Sequence, residues 1–202
     1  MSEVSIVPTG TANTASVVAA FTRLGATVTT VGSSGDVASA GLLVLPGVGA
    51  FGAAMSQVDA LGLRQALIER VEADRPTLAV CVGMQLLSRD SEESPDAEGL
   101  GVVDARVGRF DHDLRVPQLG WNEVEPDPES RFLERGWAYF ANSFRLEQVP
   151  PGWIGAVTDY GRKFVSAMER GNVLACQFHP ELSGPWGARM LGRWLEQARV
   201  AA

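Results

Sequence analysis

Between residues 4 and 80 the apolar positions fall into two alternating patterns. Val4-Ser5-Ile6-Val7, ATVTTV (26–31), LLVLP (42–46) and Leu78-Ala79-Val80 are short runs that read as strands, the last two apolar enough for burial on both faces. Between them the apolar residues recur at helical spacing. Val17, Phe21 and Leu24 share one face of a helix that Asn13 or Thr14 caps and Gly25 ends, and Leu63, Leu67 and Val71 share a face over 62–73. A further helix reads from GMQLLSRD (83–90), directly behind the fourth strand. Strand-then-helix order implies right-handed crossovers and hence a parallel sheet covered on both faces.

The pattern changes after the acidic loop DSEESPDAEG (90–99). LGVVDARV, WNEVEP, WAYFAN, GWIGAVT, KFVSAME and NVLACQF read as strands with tight turns between them, including one at Asp159-Tyr160-Gly161. A last helix over about 187–199 carries the stripe Met190, Leu191, Trp194 and Leu195. The expected fold class is α/β: a mostly parallel sheet flanked by helices, with an antiparallel extension in the second half. No repeat, low-complexity tract or linker divides the chain, so residues 1–202 are expected to form a single domain.

Composition narrows the functional classes. With 202 residues, 46% hydrophobic and 20% charged, the chain has an ordinary globular make-up and can bury a sizeable core. Its net charge of -7 attracts neither nucleic acid nor an anionic membrane. No run approaches the roughly 18–20 apolar residues that span a bilayer. MSEVSIVPTG lacks the basic start and apolar core of a signal peptide. Two cysteines and two histidines, without CxxC or HxxxH spacing, point to neither a disulfide scaffold nor a zinc site, so no metal and no cofactor are expected. The expectation is a reduced, cytoplasmic protein.

One cysteine is placed unusually. In TLAVCVGMQLL (77–87), Cys81 stands where a strand ends and a helix begins, and a sharp turn there lifts a side chain out of the sheet. Backbone donors and the positive end of a helix at that point favour an anionic sulfur and can receive an oxyanion. A cysteine nucleophile also needs a base and an orienter for that base. His112, in the acidic stretch DHDL, reads as a surface residue. His179 ends the apolar strand VLACQF, at the kind of sheet edge where open α/β folds keep their sites. Glu181 follows across Pro180, whose fixed φ restricts how the carboxylate meets the imidazole. Cys176 is expected to be a core residue, because strand alternation turns it away from His179 while Gln177 shares the histidine's face. The loop PGVGAFG (46–52) can aim a backbone N–H at a reacting carbonyl, or serve only as a tight turn.

Taken in order, PGVGAFGAAM, CVGMQLL, LGWNEV, YFANSF, TDYG and QFHPELSG resemble the class I (triad) glutamine amidotransferases. Within that family they are most similar to the glutaminase subunit of imidazole glycerol phosphate synthase, from about residue 4 to the last helix. The resemblance implies a flavodoxin-like fold and a heterodimer in which ammonia from L-glutamine passes to a (β/α)8-barrel cyclase subunit. It implies Cys81 as nucleophile, His179 as acid and base, and Glu181 as its orienter. Val82 and the Gly47-Val48-Gly49 segment would supply the oxyanion hole, with Gln85, Ser143 and Phe144 holding substrate. Trp121 and Tyr139 would lie near the partner interface. The chain departs from the family pattern at Pro8-Thr9-Gly10, Gln118-Leu119, Asn142 and Phe144, and at Leu182, where the family has a lysine facing the cyclase. An alternative is a class I glutaminase subunit of another synthase, either a divergent paralogue or that of the pyridoxal phosphate pathway, which HPEL favours but GVGA and GWN do not.

Overall fold

All four early apolar runs enter one sheet. The computed structural model of the chain describes residues 2–10, 14–110 and 113–201; Asn13 and His112 lie outside them. The first half runs β1 (Glu3–Ile6), α1 (Thr14–Arg23), β2 (Thr27–Thr30), α2 (Ser34–Ser39), β3 (Leu42–Leu45), α3 (Phe51–Ala60), α4 (Arg64–Glu72), β4 (Thr77–Val80) and α5 (Val82–Leu86). The second half runs β5 (Ser88–Ser91), β6 (Val103–Arg109), β7 (Gln118–Pro126), β8 (Gly136–Asn142), β9 (Phe144–Arg145), β10 (Ile154–Tyr160), β11 (Arg162–Arg170), β12 (Val173–Cys176) and α6 (Gly184–Ala201).

Among the described residues the main sheet has nine strands in the order β2-β1-β3-β4-β12-β11-β10-β7-β8. From β2 to β12 every pair is parallel, and from β12 to β8 every pair is antiparallel. β3, β4 and β12 are buried along their whole length, as their unbroken apolar runs require. β12 therefore sits where the two halves meet, beside β4 and far from it in sequence. A small separate sheet has the order β5-β6-β9, with β5 and β6 parallel and β6 and β9 antiparallel.

Helices close both faces. α1 buries Val17, Ala20 and Phe21, and Phe21 meets Trp194 of α6 edge-to-face at 6.0 Å between ring centres. Arg70 of α4 is buried, and its guanidinium donates to the Val37, Ala40, Gly41 and Pro76 carbonyls and to Thr77 Oγ1 at 2.7–3.1 Å. Those bonds fasten α2, α4 and the start of β4 together. Burial lowers the Arg70 pKa to about 10, with Arg75 adding to the shift.

The structure corrects the sequence reading at two places. The helix expected over 83–90 stops at Leu86, and residues 88–91 form β5 instead. The Leu86, Leu87 and Ser88 carbonyls accept from Leu100, Val103 and Gly101, so the helix loses its own acceptors to the strand connection. Gly99 lies so close that a Cβ there would meet the Ser88 oxygen at 2.0 Å. The second is α3, a helix the sequence reading did not assign, which begins at Phe51 inside the stretch PGVGAFG read as loop. Its Ala50 cap contributes no side-chain bond; Glu93 and Ser94 accept from the Phe51 and Gly52 N–H groups at 2.7 and 3.0 Å, from 42 residues away.

Candidate active site

β4 and β12 run parallel in register, Val80 opposite Cys176, so the residues just after each strand emerge together at one sheet edge. The Cys81 N–H donates to the Cys176 carbonyl at 2.7 Å, extending the pairing by one step. The chain then turns sharply into α5. Cys81 takes φ 54° and ψ -112°, a strained conformation for a residue with a Cβ, and this lifts the sulfur off the sheet.

His179 arrives from the neighbouring strand. Its N–H donates to the Tyr139 carbonyl at 2.9 Å, and its own carbonyl accepts from Ser183 Oγ at 2.6 Å. Ser183 Oγ in turn accepts from the Tyr139 N–H at 2.9 Å. The backbone around the imidazole is thus held from both sides. His179 and Cys81 line the same cavity, and the ring Nδ1 of His179 lies 2.9 Å from Glu181 Oε1. The His179 and Glu181 side chains are both 5% exposed. Burial alone would push the imidazole pKa down, but the interactions with Cys81 and Glu181 outweigh it and hold the value up at about 10. A protonated imidazole beside the sulfur is the form this geometry favours. The single turn Pro180–Leu182 fixes the carboxylate under the ring.

Sulfur and imidazole form the floor of a cavity of about 370 Å³, whose walls are Val48, Gly49, Ala50, Val82, Gln85, Glu93 and the stretch 141–144. Seven of the site residues expected from sequence as oxyanion, substrate or catalytic groups therefore meet there with His179: Val48, Gly49, Cys81, Val82, Gln85, Ser143 and Phe144. The Val82 N–H, expected to face a reacting oxygen, donates to the Gly47 carbonyl at 3.2 Å. Gln85 Nε2 is likewise engaged, with Gln177 Oε1 at 2.9 Å and the Phe144 carbonyl at 3.3 Å.

Two further groups at the site do not stand out in the sequence, Glu93 in the cavity wall and Gln177 behind it. Glu93 belongs to the acidic loop 90–99, to which the sequence assigns no role, yet it reaches the pocket as the distant cap of α3. Gln177 is fully buried, and its Nε2 lies 3.6 Å from Cys81 Sγ. Strand alternation had placed it on the histidine's face, and the consequence for the sulfur follows from the β4–β12 pairing alone. Cys176, one residue earlier, points the other way into the core, where burial drives its thiol well above the ordinary range.

Trp121 and Tyr139 lie outside the cavity, opposite each other on the β7–β8 ribbon, with ring centres 6.2 Å apart. Leu119 and Trp137 occupy outward positions of the same ribbon and are 67% and 56% exposed, and Trp121 is 54% exposed. Leu182 is also exposed, and Trp121 reaches across to Gly184 two residues beyond it. These exposed apolar side chains of β7 and β8 stand on the ribbon whose Ala141 and Asn142 line the cavity, and such a grouping is of the kind that marks a protein partner. No helix among the described residues is long and apolar enough to cross a membrane.

A sulfur and an imidazole on one cavity, with a carboxylate bonded to the ring, are equipped for acyl transfer from an amide. Comparison with known proteins gives the chemistry a family. A family model described as "Glutamine amidotransferase class-I" matches residues 6–198. The chain is 42% identical over 198 residues to "Imidazole glycerol phosphate synthase subunit HisH" of Symbiobacterium thermophilum, covering 96% of this chain and 93% of that protein. It is 40% identical over 201 residues to "Imidazole glycerol phosphate synthase hisHF, chloroplastic" of Arabidopsis thaliana, covering 96% of this chain and 34% of the longer plant protein. A solved structure titled "Crystal structure of glutamine amidotransferase" superposes with a TM-score of 0.78 at 22% identity, over 97% of this chain and 98% of the other, a likeness of fold.

Proposed function

The chain belongs to the class I glutamine amidotransferase family, and from that premise we propose that it is the cytoplasmic glutaminase subunit of an imidazole glycerol phosphate synthase. It hydrolyses L-glutamine to glutamate and ammonia and delivers the ammonia to a barrel cyclase subunit of histidine biosynthesis. The observation that carries the chemistry is the convergence of Cys81, His179 and Glu181 through two adjacent parallel strand ends.

The steps follow from where the protons are. The Cys81 sulfur attacks the side-chain carboxamide carbon of glutamine, and the carbonyl oxygen becomes an oxyanion. The imidazolium of His179 passes its proton to the nitrogen, the C–N bond breaks, and ammonia leaves a glutamyl thioester. His179, now neutral, takes a proton from water as the water attacks the thioester, and collapse releases glutamate and the sulfur anion. Glu181 holds the ring in one orientation throughout, and in the ring's neutral form keeps the proton on Nδ1. Glu93, on the cavity wall, is the carboxylate that meets the α-ammonium group of the substrate.

The oxyanion still needs donors. With the Val82 N–H turned to the Gly47 carbonyl, the peptide planes of residues 47–49 have to rotate before that donor faces the substrate. A missing donor costs about 3 kcal/mol, near a hundredfold in rate. The subunit alone is therefore a slow glutaminase, and docking of the cyclase on the neighbouring apolar surface supplies the rotation. Coupling the two sites also keeps ammonia from water, where protonation would end its nucleophilicity.

The test is made on the complex co-purified with the cognate cyclase. Cys81→Ala should abolish synthesis from glutamine and leave synthesis from added ammonia intact. Glutamine hydrolysis that survives the substitution would remove Cys81 from the reaction, and fast hydrolysis by the lone subunit would remove the coupling.

A further inference from the structure

Gln177 lies outside the triad, yet the direction of its amide is fixed by atoms on the far side of the cavity. The Phe144 backbone carbonyl can only accept, and it takes a hydrogen bond from Gln85 Nε2 at 3.3 Å. The same Gln85 nitrogen donates its second hydrogen to Gln177 Oε1 at 2.9 Å. An amide that accepts on its oxygen there must present its NH₂ group at the other end, and at that end lies Cys81 Sγ, 3.6 Å away. The backbone of Gln177 is pinned as well, its N–H donating to the Ser166 carbonyl at 2.8 Å. Both amides are shielded from water, Gln85 being 3% and Gln177 0% exposed.

We propose that Gln177 is a positioning residue for the nucleophile, donating an N–H to the sulfur anion of Cys81 while Gln85, anchored on the Phe144 carbonyl, holds the amide in its donating orientation; the role presupposes Cys81 as the nucleophile. A charged sulfur is a far better acceptor than a thiol, so the bond favours the reactive form. It also restrains the sulfur from a second side, opposite in character to the imidazole. His179 can give its proton away to the leaving amine, whereas an amide N–H cannot, so Gln177 stays a donor through every step. The commitment of both Gln85 amide hydrogens within the protein follows from this role, and Gln85 Oε1 is the atom left for substrate.

Alkylation of Cys81 by iodoacetamide, mapped by mass on the peptide bearing that residue, reads the anionic sulfur directly. It uses the full chain without glutamine, so it can fail or succeed independently of the glutaminase assay. Gln177→Met keeps the length of the side chain and removes the donor; alkylation at about pH 7 should slow about tenfold and match wild type near pH 10. Gln177→Glu keeps the shape but sets an anionic oxygen against the sulfur, and should be slower than Gln177→Met. Gln85→Glu never touches the sulfur. Its new carboxylate cannot donate to Gln177, so the Gln177 amide turns over and presents oxygen to Cys81, and alkylation at about pH 7 should slow at least as much as in Gln177→Met. A role in packing alone predicts the reverse order, with Gln177→Glu nearest wild type.

Wild-type alkylation in Gln177→Met, or Gln177→Glu faster than Gln177→Met, overturns the proposal. If the Gln177 variants lose alkylation near pH 10 too, their fold is disturbed and Gln85→Glu carries the test. Slowing confined to about pH 7 in that variant supports the role, and an unchanged rate overturns it.

Discussion

A methyl group added at Gly83 has no room. An ideal Cβ there lies 1.9 Å from the Leu45 carbonyl oxygen and 2.9 Å from its carbon, backbone atoms of β3, whereas ordinary contact begins at 3.4 Å. No rotamer relieves a clash with backbone, so Gly83→Ala has to push α5 away from β3 by about 1.5 Å. Overpacking of this kind costs about 1–3 kcal/mol, which for a chain of this length lowers Tm by roughly 2–12 °C. The effect on rate should be larger in proportion. Cys81 stands two residues before Gly83 in a strained conformation and is tied to Cys176 by one short bond, so it moves with the start of α5. A misplacement of about 1 Å at a reacting atom costs around a hundredfold in rate. Thermal denaturation of the subunit, with glutamate release measured in the complex, checks both numbers, and ammonia-supported synthesis should be unaffected. A Tm within about a degree of wild type together with kcat within about twofold would refute the claim that the elbow is set by contact with β3.

Arg70→Met should lower stability by about 2 kcal/mol, read by denaturant unfolding, because the Val37 carbonyl and Thr77 Oγ1 lose the guanidinium without gaining a new donor, while the Ala40 and Pro76 carbonyls keep Arg75 and Leu43. The His179 imidazole, held at about 10 against 6.5 unperturbed, keeps a proton in the folded chain that the unfolded chain has lost, so its stabilising contribution is complete below about pH 6.5 and disappears as pH rises through about 10. Glu181→Gln removes the negative charge that favours the ring proton, and Tm measured across that interval should fall less steeply than in wild type. Trp137→Ala should weaken association with the cyclase about thirtyfold or more in titration calorimetry, as for an aromatic anchor of an interface, with little change in Tm because the ring is largely exposed.

What the sequence made legible, and what it did not, divides along the range of the interactions involved. The strands are legible because unbroken apolar runs in β3, β4 and β12 are what a doubly covered strand requires. The convergence of Cys81 with His179 follows from both standing just past buried strands, although the adjacency of β4 and β12 is a matter of topology. The short α5 and the strand after it were not legible, since Leu86, Leu87 and Ser88 give their carbonyls to residues more than ten positions away. The cap of α3 is equally remote, which is why Glu93, in a loop to which the sequence assigns no role, is found at the cavity wall. The outward Leu119 and Trp137 follow strand alternation once the β7–β8 register is known, and that register is what a single sequence leaves open.

The most direct measurement uses a glutamine-shaped electrophile, with a diazoketone in place of the side-chain amide, on the wild-type complex. The thiol at position 81 should be the one group labelled, glutamine should protect it, and loss of glutamine-driven synthesis should track the label. A label on Cys176, or full inactivation with Cys81 unmodified, would contradict the assignment of the nucleophile and of the cleft built around it.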